Sequence, residues 1–172
     1  MADSKNEYTI SLALIKDAAE IISFLNKIGG ETEFLTFGQN EFFVSLNEEK
    51  KIIKDCLETE KSLMLIAKAR DEIVAQLFLE RCSRSRVAHM AEVSICVAKS
   101  HWGQSIGRNM MLRAIEWAKT RDITKIQLWV RCDNLRAINL YKSLGFNVEG
   151  QITNSLRIDG IYYNDFMMGL II

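Results

Sequence analysis

Proline is absent from this chain, and histidine occurs only twice in its 172 residues. With no proline-rich spacer, and no stretch that reads as a linker, repeat or low-complexity tract, the sequence reads as a single unit. His89 and His101 stand too far apart in pattern for a metal centre, so no metal is expected. Neither sign of charge is in excess. Formal net charge is zero, which removes the electrostatic case for nucleic acid or an anionic membrane as the main partner. The longest apolar runs are short and interrupted, and Met1 to Asn6 is polar with no cleavable hydrophobic segment. Cys56, Cys82, Cys96 and Cys132 show no paired ligand spacing, so they are read as reduced, mostly buried thiols of a cytoplasmic protein.

What remains is ordinary globular material. A hydrophobic fraction of 48% over this length suits one domain, residues 1–172, with a real core. Tyr8 to Leu14 alternates as a strand, and Asp17 to Lys27 follows as an amphipathic helix stopped by Gly29 and Gly30. Glu31 to Leu46 then mixes aromatics with the acids Glu31, Glu33 and Glu41, either as a flap over the core or as the wall of a substrate pocket. Ser45 and Glu48 form a capping box for a helix from Leu46 to about Glu60. Three strands come next, Leu63 to Ala67, Ile73 to Cys82 and Val87 to Val97, joined as an antiparallel meander. In the third, Val87, Ala91, Val93, Ile95 and Val97 share one face while Glu92 and Ser94 share the other. A mid-strand glutamate runs against propensity, so either that face is wet or Glu92 has a task.

Chemistry concentrates in two stretches. His101-Trp102-Gly103-Gln104-Ser105-Ile106-Gly107-Arg108 joins that third strand to a helix reaching about Lys119. Small residues there let a ligand approach backbone N–H groups at a helix start, where phosphate is attracted and Arg108 is near. Neither the Gly-Lys-Ser/Thr phosphate loop nor the three-glycine dinucleotide fingerprint is matched. After a strand from Lys125 to Arg131 comes Asn134-Leu135-Arg136-Ala137-Ile138-Asn139-Leu140-Tyr141-Lys142-Ser143-Leu144-Gly145-Phe146. Asp133 or Asn134 caps this helix and Gly145 ends it, with Asn134, Ala137, Ile138 and Tyr141 on one face. Two closing strands, about Val148 to Ile158 and Ile161 to Leu170, meet at an Asp159-Gly160 hairpin.

The order of strand, Trp-Gly-Gln-Ser-Ile-Gly, helix, strand and Asn-x-x-Ala-Ile-x-Leu-Tyr-x-x-Leu-Gly-Phe resembles the GNAT superfamily of acetyl-CoA-dependent N-acetyltransferases. The likeness covers about Leu63 to Leu170, with two departures. Trp102 stands where the first motif has Arg or Gln, and Ser105 replaces its first glycine. The resemblance implies an α/β (α+β) fold with a mixed, mostly antiparallel sheet of about seven strands, splayed between its fourth and fifth, and helices on both faces. It further implies acetyl-CoA as cofactor, held by Trp102, Gly103, Gln104, Ser105, Ile106, Gly107 and Arg108 at the pyrophosphate. Backbone of Ile95, Cys96 and Val97 would pair with the pantetheine arm, one N–H serving as oxyanion donor, and Asn134 and Ala137 would border the same arm. Tyr141 would protonate the leaving thiolate and Glu92 would take the amine's proton, directly or through water. Glu33 and Phe34 are the expected substrate contacts. The acceptor is a small-molecule amine or a peptide, with neither nucleic acid nor membrane as partner and a homodimer left open. A cofactor-binding regulatory module with degenerate catalysis is the competing expectation, and Ser105 is its sole support.

Overall fold

The computed structural model describes residues 8–172; the polar Met1 to Asn6 segment lies outside the described residues. In chain order the elements are β1 (Tyr8–Leu12), α1 (Ala18–Gly29), α2 (Leu46–Thr59), β2 (Ser62–Ala69), β3 (Glu72–Arg81), β4 (Met90–Val97), α3 (Ile106–Lys119), β5 (Lys125–Arg131), α4 (Leu135–Ser143), β6 (Asn147–Ile158) and β7 (Ile161–Ile171). The strands form one sheet in the order β1-β2-β3-β4-β5-β7-β6. Every neighbouring pair is antiparallel except β4 and β5. That parallel pairing spans only Met90 with Lys125, Ala91 with Ile126 and Glu92 with Gln127. Beyond Glu92 the strands part, which is the splay expected from the motif order.

Period-2 alternation sorts the side chains of the central strands onto two faces. Leu63, Leu65, Leu77, Leu79 and Val93 are buried on one of them. α3 closes that face with a helical stripe of its own, Ile106, Met110, Met111, Ala114, Ile115 and Ala118, all buried. Met64, Phe78, Ser94 and Cys96 look the other way, toward α1, α2 and the segment joining them. Helices therefore cover both faces.

Local chemistry accounts for the boundaries. The Ser45 hydroxyl accepts the Glu48 N–H at 3.3 Å while the Glu48 carboxylate accepts the Ser45 N–H at 2.8 Å, so the predicted capping box is complete. Asp159 and Gly160 both take positive φ, 48° and 84°, as the tight β6–β7 hairpin requires. Two strands are shorter than expected. β1 ends at Leu12, because the Leu14 N–H bonds the Asp17 carboxylate at 2.9 Å and the chain turns into a short 3-10 segment, Ile15–Asp17. β4 begins at Met90. Residues Ser85–Val87 form a 3-10 turn that spends the Val87 N–H on the Arg84 carbonyl, and Val87, 37% exposed, does not join the apolar face assigned to it.

Candidate active site

β4 carries the first part of the site on its backbone. In an antiparallel pair the main-chain groups alternate between facing the partner and facing away. The Ala98 N–H bonds the Val74 carbonyl and the Met90 carbonyl accepts the Cys82 N–H, so even-numbered residues of β4 spend their backbone on β3. Ile95 and Val97 consequently turn their N–H and C=O groups toward the gap where β5 has diverged. Cys96, expected to contribute backbone there, faces β3 instead. The Val97 carbonyl is already taken at 2.7 Å by the Trp102 indole N–H, which ties the following loop back to the strand.

That loop opens α3 without closing it. Ser105 is the N-cap residue, with φ 62° and ψ 8°, the left-handed conformation natural to glycine, and its hydroxyl accepts no capping bond. The first N–H groups of α3, from Ile106 to Arg108, are thus left to an outside acceptor. Gly103 has φ 81° and open space where a Cβ would stand, so its requirement is conformational. Gly107 serves differently: its missing Cβ would face Leu140, Val97 and Ile95 at 3.4 to 3.8 Å, inside an apolar slot between β4 and α4. Arg108 donates to the Ser143 hydroxyl at 2.9 Å, at the end of α4. Arg136, which the sequence did not single out, stacks on Trp102 with its guanidinium carbon 4.8 Å from the ring centroid and adds a cation at the loop.

α4 supplies the next pieces. Asn134 is its cap, accepting the Ala137 N–H at 3.2 Å through Oδ1, while Asp133 is engaged elsewhere. Tyr141 is buried, packs on Phe146 at 5.9 Å between centroids, and its hydroxyl bonds to no group among the described residues. Burial pushes its phenol up to about 12, and the neighbouring Cys96 adds to the shift. The Cys96 thiol is also pushed up to about 12 by burial. Such a thiol stays protonated and unreactive at neutral pH. Glu92 stands at the last rung of the β4–β5 ladder, its Oε2 accepting from Gln127 Nε2 and Trp129 Nε1, both at 3.3 Å.

On the other side of the sheet a half-open cavity of about 290 Å³ reaches β4. Its walls include Leu35, Phe37, Phe42 and Val44 from the α1–α2 segment, Glu49 from α2, Gln76 and Phe78 from β3, and Ser94 and Cys96 from β4. Glu33 and Phe34 are not among them, nor is Glu92. Glu33 and Phe34 gather instead around Arg131, which is only 5% exposed at the end of β5. Its guanidinium donates to both Asp133 oxygens at 2.8 and 2.6 Å and to the Glu33 carbonyl at 2.8 Å. Phe34 and Tyr163 present their rings to it at 4.7 and 3.9 Å. The Arg131 bond holds the Asp133 carboxyl below its ordinary value. Arg131 is the pin that fastens the wall of the cavity to the sheet, and its place as the last residue of a strand gave no sign of it.

Comparison with known proteins agrees with this layout. The family model described as Acetyltransferase (GNAT) family matches residues 32–146. A solved acetyltransferase of the GNAT family from Streptococcus pneumoniae superposes with a TM-score of 0.92 at 28% identity, covering 96% of this chain and 99% of that one. A Salmonella typhimurium protein, yncA, solved with its cofactor acetyl-CoA, has the same fold at a TM-score of 0.82 and 21% identity, over 95% and 93% of the two chains. A spermidine N(1)-acetyltransferase of Vibrio cholerae is 22% identical over 143 residues, 82% of each chain. The uncapped first turn of α3, the slot at Gly107 and, on the edge of β4, the Ile95 backbone and the Val97 N–H are surfaces that the pyrophosphate and the extended pantetheine of acetyl-CoA would fit.

Proposed function

Since the chain belongs to the GNAT acetyltransferase family and is an acetyl-CoA-dependent acyltransferase, we propose that it acetylates the nitrogen of a primary amine by direct attack within the β4–β5 gap. The observation that carries this is the free backbone edge of β4, which opens between the unclosed end of α3 and the Tyr141 face of α4. Bound acetyl-CoA supplies the thioester carbon that the amine attacks and the thiolate that departs.

The remaining work falls to this chain. Gly103 to Arg108 hold the pyrophosphate by backbone donors, with Arg136 and Arg108 as nearby cations. N–H groups of Ile95 and Val97 fix the arm and polarise the thioester carbonyl. An alkyl ammonium, with pKa near ~10, must give up two protons in all on becoming an amide. One leaves through Glu92 and water at the mouth of the gap; the other replaces the proton that Tyr141 gives to the thiolate. Tyr141 is suited to this by its surroundings. Burial keeps its phenol protonated at neutral pH, so the hydroxyl is there to donate when the thiolate departs. Ser105 does not disable the loop, because it adopts the left-handed backbone that the motif glycine would supply.

The test is release of free thiol from acetyl-CoA across amino acids, polyamines, simple alkyl and aryl amines, and peptides, with the acetylated product identified by mass. Acetyl transfer to nitrogen is the expected result. Acetyl-CoA binding without transfer to any amine would favour the non-catalytic module.

A further inference from the structure

The cavity on the acceptor side holds a carboxyl group with nothing to bind. Glu49 is 2% exposed, and its Oε1 is sealed from solvent without a hydrogen-bond partner among the described residues. It lies in the first turn of α2, whose cap is already complete through Ser45 and Glu48, so the helix end makes no demand on it. Burial pushes its pKa up, the sign of a charge short of compensation. Apart from Gln76 and Ser94, the other walls are hydrocarbon, aromatic or sulfur-bearing, with Phe37 and Phe42 packed at 5.4 Å and Phe78 rising from β3. The acids of the α1–α2 segment do not line this cavity. Glu31 accepts the Lys99 N–H at 2.9 Å, Glu41 accepts the Gly38 N–H at 2.6 Å, and Glu33 lies 4.0 Å from Arg131.

One carboxyl group in an apolar chamber matches one ammonium group on an apolar body. We propose that the acceptor is a primary monoamine bearing a single aryl or branched-alkyl group, its ammonium paired with Glu49 and its apolar body between Phe37, Phe42 and Phe78. This rests on the acetyl-transfer function argued above and narrows its substrate class. A second ammonium, as in a polyamine, or the carboxylate of an amino acid would meet no counter-charge on the walls of the chamber, and drawing an unpaired charge out of water against them is costly.

Phenethylamine, spermidine and L-phenylalanine distinguish these classes, with acetyl transfer measured at saturating acetyl-CoA and acetyl-CoA binding measured separately by calorimetry. Phenethylamine should exceed the other two in kcat/KM by about a hundredfold or more, the scale on which sites reject unmatched polar groups. Glu49→Gln should raise KM for phenethylamine at least about tenfold with a smaller change in kcat and no change in acetyl-CoA affinity. Glu49→Leu removes a buried, unpaired acid, so it should fold with a melting midpoint at or above that of the parent and show the same or a larger KM defect. A better rate with spermidine or L-phenylalanine, or an unchanged KM in Glu49→Gln, overturns the monoamine assignment while acetyl transfer itself stands. Acetyl-CoA binding with transfer to none of the three also overturns it. Failure to bind acetyl-CoA overturns the underlying function instead.

Discussion

α2 and α3 both begin after a serine, and the two serines leave their helices in opposite states. Ser45 has extended backbone, φ −71° and ψ 157°, and its hydroxyl closes the first turn of α2. Ser105 has left-handed backbone, φ 62° and ψ 8°, and caps nothing. The same side chain is a structural plug in one place and absent from the hydrogen-bonding account in the other, because φ and ψ decide where its oxygen points. The contrast extends to the two sides of the cleft. The surface proposed for the cofactor behind α3 is backbone from a few consecutive residues; the one proposed for the acceptor beside α2 is side chains brought together from α1, the α1–α2 segment, α2, β2, β3 and β4. Binding of the cofactor and binding of the acceptor should therefore fail separately.

The largest separation is expected at Tyr141. Tyr141→Phe keeps the ring against Phe146 and removes one proton, so turnover should fall about 10²-fold or more, the usual range for a general acid, while affinity for acetyl-CoA holds. Burst and steady-state kinetics beside calorimetry would show it. Its pH signature is specific. The native phenol titrates near 12 against about 10 when unfolded, so its stabilising contribution is full below about pH 10 and disappears as pH rises through 12. Melting midpoints of parent and variant should diverge over that window, with the parent losing more. Parallel curves would show that the hydroxyl is not shielded.

Gly107 tests the cofactor side alone. A Cβ there meets only ordinary contacts, so Gly107→Ala should be mild, whereas Gly107→Leu pushes a side chain into the slot between Ile95, Val97 and Leu140. Acetyl-CoA affinity should drop at least about tenfold in the leucine variant, the order expected when overpacking of about 1–3 kcal/mol is charged to the bound state. Equal affinity in both variants would mean the slot is not on the path of the ligand.

Arg131 tests the acceptor side. Arg131→Met retains bulk between Phe34 and Tyr163 but frees Asp133 and the Glu33 carbonyl, a loss of about 2–3 kcal/mol in charged hydrogen bonds. For a chain of this size that corresponds to roughly 4–12 °C in melting midpoint. KM for the amine should rise, with acetyl-CoA affinity unchanged; weakened acetyl-CoA binding would show that the two sides are coupled.

How much of this could be read in advance follows the same division. The α3 loop and the Asn134 to Phe146 helix are contiguous, so the glycines of the one and the cap and tyrosine of the other are legible in order, and the splay of the sheet follows from the family resemblance they carry. The α2 capping box was legible for the same reason. The acceptor chamber was not. Glu49 follows Glu48 and looks like a second solvated acid, although Glu49, Ile52, Ile53 and Cys56 recur at helical spacing and place it on the buried stripe. Glu33 and Phe34 sit in an aromatic segment with no periodicity to say which residues point inward, and it is Arg131, 97 positions beyond Phe34 in sequence, that draws them away from the cavity.

The smallest effect returns to the two serines. Ser45→Ala removes the acceptor of the Glu48 N–H and should cost about 1 kcal/mol of stability, or roughly 2–4 °C in melting midpoint. Ser105→Ala removes a hydroxyl that caps nothing and leaves a residue equally burdened by the left-handed backbone, so its stability should stay within about 0.5 kcal/mol of the parent. Acetyl-CoA affinity should also survive in Ser105→Ala, because the donors of the loop are main-chain N–H groups that no side chain occupies. A Ser105→Ala loss as large as that of Ser45→Ala would mean that the hydroxyl closes α3 when the ligand is away. The free first turn of α3 would then be something the cofactor has to open, and its affinity should rise in the alanine variant.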